Sequence, residues 1–310
     1  MTTPDTINLP VPESVGAFYA VPTTDGSVET SSLVATALGQ VEDSLPRPLP
    51  QPLVQIHPVA DLPPLPIDSL AATGATDAQV ARLRSATHLV LVSVGGRPGW
   101  PPAHEWISRT LAAGAAARLD SDVVDLITHE VLDLTSSRAS LPDRDGLVCL
   151  TDWVRVEWWP DQGGYSCATT GLRRFGLPEL QTLAMSPSIV DSWGSAMVGL
   201  AGQLIAAWRD ALTGDRPPPA VTLPASLCLT ATDVIETHAR ITEKAGPRAS
   251  AGGSDAATVR LEHQRGTDGS WTSARLTVRP PASWPGTAEE HLADACKVLF
   301  GQSTGDISLA

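Results

Sequence analysis

The sequence predicts an α+β fold of two mostly antiparallel sheets with helices packed on one face, ferredoxin-like splits being the concrete form. Three observations predict it. Strand-like and helix-like periodicities mix along the chain without strict βαβα alternation. A polar stretch at residues 135–146, with Ser, Arg, Pro and Asp, separates units of 1–140 and 141–310. Hydrophobic residues make up 42% of the 310 and charged ones 18%. That is ample material for buried cores, and it excludes wholesale disorder.

In the first unit, the apolar run at 15–21 (VGAFYAV) reads as a strand. Residues 27–43 space Val28, Leu33, Leu38 and Val41 as on an amphipathic helix. Residues 53–59 form a strand that the surrounding prolines confine to an edge or a crossover, since proline donates no N–H. Thr76 and Gln79 resemble a capping box opening a helix to about 85. The run at 88–94 (HLVLVSV) predicts a central strand buried on both faces. Glycines at 95–99 turn the chain into a helix over 101–119, with Ile107, Leu111, Ala115 and Leu119 on one face. Segments 123–128 and 130–134 supply further strands.

In the second unit, residues 148–159 read as an aromatic-rich strand, and Gly163-Gly164 turns it into a partner over 165–170. Ser188 and Asp191 look like a helix cap. After them Ile189, Trp193, Met197, Leu200, Leu204 and Trp208 form a helical stripe. Gly194, Gly199 and Gly202 on that helix predict close approach by a sheet or partner helix, because glycine otherwise costs a helix about 1 kcal/mol. Residues 227–235 read as a strand, 236–243 as its extension or a short helix, and 245–255 as a loop. Segments 259–263 and 274–278 pair as a hairpin, and 287–300 form the last helix.

The 34 acidic and 21 basic side chains give a formal net charge of −13. Such a chain disfavours generic nucleic-acid binding and docking on anionic lipid. The first residues lack a signal-peptide pattern, and the longest apolar stretch, 189–212, is interrupted by Asp191, Ser195, Gln203 and Arg209. A cytoplasmic location is expected. The four cysteines show no paired spacing, so they are expected to be small apolar residues. Arginine outnumbers lysine, which occurs only at Lys244 and Lys297. With abundant Ala and Pro, this points to a GC-rich, plausibly actinobacterial, genome.

Catalytic signatures are missing. The Gly95–Gly99 loop lacks nucleotide-binding spacing, and neither His104-Glu105 nor His129-Glu130 extends to a zinc motif. No nucleophile elbow is present, and no metal or cofactor is expected. Dispersed acid–base candidates are His104, His129, Asp152 and Glu157. The unusual segment is 153–180. It holds Trp153, Trp158 and Trp159, then Thr169-Thr170-Gly171-Leu172-Arg173-Arg174-Phe175-Gly176-Leu177-Pro178-Glu179-Leu180. Its glycines and proline imply a specific turn, with Glu179 held by Arg173 or Arg174. Trp153, Trp158, Trp159, Arg173, Arg174 and Glu179 are the binding candidates, since aromatics and Arg dominate interface hot spots.

The Thr-x-Gly-x-x-x-Phe-Gly-x-Pro-Glu-Leu string resembles one found in uncharacterised bacterial domain families akin to suppressor-of-fused-type domains. The likeness spans about residues 153–212. It implies an α+β domain tied to interaction or regulation, and it brings no catalytic residues. Two functions follow as expectations. The first is a non-catalytic protein-binding, assembly or regulatory protein that meets a protein partner or itself. The second is a small-molecule enzyme of specialised metabolism with a cleft between its units.

Overall fold

The computed structural model describes residues 5–31, 34, 50–99, 102–132, 149–212, 217–238, 256–264 and 274–301. The chain is α+β, with largely antiparallel sheets. It divides into two compact units, Glu13–Val148 and a second made of Met1–Pro12 with Cys149–Ala310. The division expected near residue 140 therefore falls at 148, and the first dozen residues belong to the second unit. The cause is strand pairing, because β1 (Thr6–Pro10) runs antiparallel to β10 (Ala220–Pro224). Neither strand was expected from the sequence.

In the first unit, β2 (Val15–Thr23), β3 (Pro52–Pro58), β4 (His88–Gly96), β5 (Val123–Asp125) and β6 (Glu130–Leu132) form one sheet in the order β3-β4-β2-β5-β6. All its pairs are antiparallel. The order β5-β2-β4-β3 is that of a ferredoxin-like split. β4 lies inside the sheet between β3 and β2, as expected, but it is not buried on both faces, since Leu91 and Ser93 are only half-buried; the proline-flanked β3 lies at an edge. The helix expected at 27–43 and the polar stretch at 135–146 lie largely or wholly outside the described residues. Helices α1 (Ile67–Ala72) and α2 (Asp77–Ser85) follow β3, and Thr76 and Gln79 complete both halves of the capping box. Leu70 and Leu83 pack with Ala20, Leu89 and Val124.

Helix α3 (Ala103–Leu119) buries more than the apolar face expected of it. The Tyr19 hydroxyl donates to the Glu105 carboxylate at 2.8 Å and accepts from Arg109 Nε at 3.1 Å. Arg109 also donates to Asp125 at 3.2 Å, and Asp125 accepts the Ile127 and Thr128 N–H groups. A buried ion pair persists only when its charges are bonded in this way.

The second unit contains β7 (Arg155–Asp161), β8 (Gly164–Thr170), β9 (Glu179–Met185), β11 (Ser226–Thr230), β12 (Ala256–Gln264) and β13 (Arg275–Arg279). They form a six-stranded sheet in the order β11-β12-β13-β9-β8-β7. The pairs are antiparallel except β13 with β9, which is parallel. Three expectations change. The aromatic strand begins at Arg155, because Leu150–Asp152 forms a 3-10 turn. The strand expected at 227–235 ends at Thr230. There the Asp233 carboxylate accepts the Thr230 N–H and opens helix α5 (Ala231–His238). Helix α4 (Val190–Ala211) has no Ser188 cap and starts instead from a 3-10 turn with proline in its first positions. The last helix is α6 (Ala288–Phe300), capped by Thr287 and Glu290.

α4 is the core helix of this unit. Trp193, Met197, Leu200, Leu204 and Trp208 are all buried. Full burial of one such side chain is worth about 1.5–3 kcal/mol. The Trp193 indole donates to Thr182 at 2.9 Å and the Trp208 indole to the Phe175 carbonyl at 2.8 Å. In length and apolar content α4 matches a membrane span more closely than its polar interruptions suggested, but 61% of its apolar window is buried within the protein. Its glycines do admit close neighbours. Gly194 lies under Trp158, while Gly199 and Gly202 lie against Val234 and Thr237 of α5.

Candidate functional site

The tryptophans expected to bind separate into two environments. Trp153 is 0% exposed, whereas Trp158 is 49% and Trp159 40% exposed. The local sequence explains the split. Trp153 closes the 3-10 turn by donating its N–H to the Leu150 carbonyl at 2.9 Å. Trp158 and Trp159 are neighbours in β7 and so project to opposite sheet faces. Trp158 takes the helix side, where an added Cβ on Gly194 would meet its ring at 3.6 Å.

β7 ends the sheet, and among the described residues no strand pairs with its outer side. Its hairpin fixes which backbone groups face outward. Asp161 pairs with Gly164 across the two-residue turn Gln162-Gly163, and Pro160 pairs with Tyr165. Pro160 has no N–H, so the 160–165 pair cannot be the doubly bonded kind. Alternation then directs the polar groups of Arg155, Glu157, Trp159 and Asp161 to β8. Those of Val156, Trp158 and Pro160 point away from the sheet. Proline at this position is a recognised guard of edge strands. Pro160 was the signal in the sequence that could have marked the edge.

At the sheet's other end, β11 is bonded by a side chain of α4. There the Gln203 side chain donates to the Cys228 carbonyl of β11 at 2.8 Å. The hairpin tip at the end of β7 is tied by two hydrogen bonds. Asp161 accepts the Ser166 hydroxyl and the Gln162 N–H, each at 2.7 Å. Those two bonds, led by Ser166, hold its carboxyl below the usual aspartate value.

Behind the strand, the Thr169–Leu180 segment is a self-satisfied turn. The Glu179 carboxylate accepts the Thr169 hydroxyl at 2.8 Å and the N–H groups of Gly171, Leu172 and Arg173 at 2.9, 3.2 and 3.2 Å. Burial pushes this carboxyl up from its ordinary value while the four donors pull it down. The hydrogen bonds to Glu179 thus come from Thr169 and the backbone, not from the Arg173 or Arg174 side chain as expected. Arg174, 0% exposed, lies over the Trp153 ring at 5.8 Å and donates to the Trp153 carbonyl at 3.2 Å. Arg173 is exposed. Of the six binding candidates, Trp158, Trp159 and Arg173 reach the surface. Trp153, Arg174 and Glu179 build the turn.

The acid–base candidates are divided between the units. His104 is buried on α3, and His129 sits in the β5–β6 turn with its carbonyl accepting from Thr73 at 2.5 Å. Asp152 lies in the 3-10 turn and Glu157 on exposed β7. Burial pushes the Cys167 thiol up to about 11 and the Cys296 thiol up to about 12, which makes both inert at neutral pH. Among the described residues, no group of three or more His, Cys, Asp or Glu is placed to hold a metal ion. No family model, curated protein or solved structure matches the chain.

Proposed function

We propose that the chain is a non-catalytic, cytoplasmic protein-binding module with an assembly or regulatory role, and that its docking element is the outer edge of β7. The observation that carries this reading is the pair of half-exposed tryptophans, Trp158 and Trp159, on a strand that no other strand among the described residues pairs on its outer side. Large aromatic surfaces are costly to leave in water and dominate binding energy when covered. The outward N–H and C=O groups of Val156 and Trp158 offer main-chain bonds, and the tryptophans supply side-chain contacts. Those are the two components of recognition by strand addition. The charge of −13 is spread along the chain and keeps the rest of the surface solvated.

The test is affinity capture from host extract with the wild-type chain and with a Trp158→Ala/Trp159→Ala variant of unchanged circular dichroism. A partner retained by the first and lost by the second is the expected result. Equal recovery by both, or a partner retained through any other face, overturns the assignment to β7.

A further inference from the structure

The charge order of β7 selects its own copy as a partner. Resting on the docking reading above, we propose that two copies of the chain pair antiparallel through their β7 edges, with Trp158 opposite Trp158 of the second copy.

The argument begins with symmetry. A two-fold axis perpendicular to a sheet relates two antiparallel edges without exchanging the sheet faces. Residues that face each other must then come from the same face, so their numbers differ by an even count. Only a few registers overlap most of the strand. With Trp158 opposite itself, Val156 faces Pro160, Glu157 faces Trp159 and Arg155 faces Asp161, each relationship occurring twice. Sliding each copy one residue toward its amino end brings Glu157 opposite Glu157. Sliding the other way brings Glu157 opposite Asp161. Both alternatives oppose like charges, which destabilises a cross-strand pair, whereas the Trp158-centred register opposes arginine to aspartate. Asp161 is held ionised by Ser166 and Gln162, so its charge persists at neutral pH.

Backbone chemistry agrees with this register. Val156, Trp158 and Pro160 are the residues whose polar groups face outward. With Trp158 central, each Trp158 N–H meets the Trp158 carbonyl of the other copy, and each Val156 N–H meets a Pro160 carbonyl. Proline accepts there, and because it has no N–H the Val156–Pro160 pairing carries one bond in place of two. A register centred on Pro160 would put two residues without N–H groups at its heart. Pro160 therefore limits the edge to one register rather than closing it. On the helix side the two Trp158 rings come together, and on the other side each Trp159 lies beside a Glu157 from the second copy. The two six-stranded sheets then continue into one another.

The test is sedimentation velocity of the purified full chain over a concentration series, read alongside the capture experiment. The wild type is expected to form a dimer. Arg155→Asp and Asp161→Arg each turn opposed charges into like ones, and each should raise the dissociation constant roughly tenfold or more. An equimolar mixture of the two variants should dimerise again, because each then supplies the charge the other lacks. Val156→Pro removes an N–H that the ladder to β8 does not use. It should leave the fold intact and weaken the dimer, which keeps the test sound if Asp161→Arg fails to fold. A wild type that stays monomeric to about 100 μM overturns the proposal, as does a dimer indifferent to Val156→Pro and Arg155→Asp. A monomer that still captures a partner through Trp158 and Trp159 overturns self-pairing while leaving the docking reading in place. A monomer whose captures ignore both tryptophans overturns the two together.

Discussion

The Glu179 carboxylate accepts the backbone N–H of Gly171 at 2.9 Å, across a turn of eight residues. The same carboxylate takes the Leu172 and Arg173 N–H groups, which the start of the 3-10 turn leaves without backbone acceptors. One acidic side chain thus closes the chain between β8 and β9. Glu179→Gln keeps the shape but turns one acceptor oxygen into an N–H₂ group facing donors. Leaving buried donors unsatisfied costs about 1–3 kcal/mol each. We expect Glu179→Gln to lower the unfolding free energy by roughly 3 kcal/mol in urea titration. A change below about 0.5 kcal/mol would show that the turn does not depend on this carboxylate.

Gly171 and Gly74 both have positive φ, at 121° and 101°, but differ in what surrounds them. A Cβ on Gly171 would lie 2.1 Å from the Trp153 carbonyl oxygen, while one on Gly74 would meet nothing within 4 Å. Gly74→Ala should therefore cost only the backbone term, about 1–2 kcal/mol. Gly171→Ala must also displace the Trp153 backbone that Arg174 grips, and it should cost about 4 kcal/mol or more, or prevent folding of the second unit. Thermal melts of the two variants compare them directly. Equal losses would mean that the contact with Trp153 relaxes freely.

These two glycines also show how far the sequence could be read. Gly171, Gly176 and Pro178 announced a turn because the residue types alone restrict backbone angles. The donors to Glu179 were not legible, since three of them are backbone N–H groups that carry no sequence signal. The helical stripe from Trp193 to Trp208 was plain, because a 3.6-residue period survives any tertiary context. β1, β9 and β10 were missed. β1 and β10 are five-residue strands, and their pairing joins residues 6–10 to 220–224, a separation no local window reports. β9 begins at Glu179 itself, so its start was hidden inside the turn. Among the site residues, exposure divided Trp153 from Trp158 and Trp159, and exposure is a property of the assembled sheet.

Two glycines of α4 predict opposite signs for the same substitution. An added Cβ at Gly194 would meet Trp158 at 3.6 Å and Val156 at 3.9 Å, ordinary contacts for a side chain. Gly194→Ala should stabilise the chain by about 0.5–1 kcal/mol, since alanine loses less entropy in a helix. At Gly199 the same atom would lie 3.0 Å from Leu229 and from the Val234 side chain, and 3.3 Å from the Val234 backbone. Gly199→Ala should destabilise by about 1–2 kcal/mol because α5 has to move. Denaturant midpoints read both. A destabilising Gly194→Ala would mean that the Trp158 ring cannot shift and that β7 is packed more tightly on α4 than its exposure suggests.

His291 gives a prediction in pH. Its Nε2 lies 2.9 Å from the Thr258 carbonyl, which can only accept, so this nitrogen carries the proton. The ring stands edge-on to Trp284 at 5.0 Å, and among the described residues its Nδ1 is buried without a partner. Charging the imidazole would put a second proton on that buried nitrogen. Burial lowers the His291 value below its ordinary one, against smaller opposing effects from Thr258 and Asp294. The unfolded chain therefore binds the proton first as pH falls. The stabilisation is complete above about pH 6.5 and is lost as pH drops through the folded value. His291→Gln can still donate to Thr258 and does not titrate. Between pH 7 and pH 5 the wild type should lose stability more steeply than His291→Gln. Parallel slopes would show that the buried Nδ1 is protonated without cost.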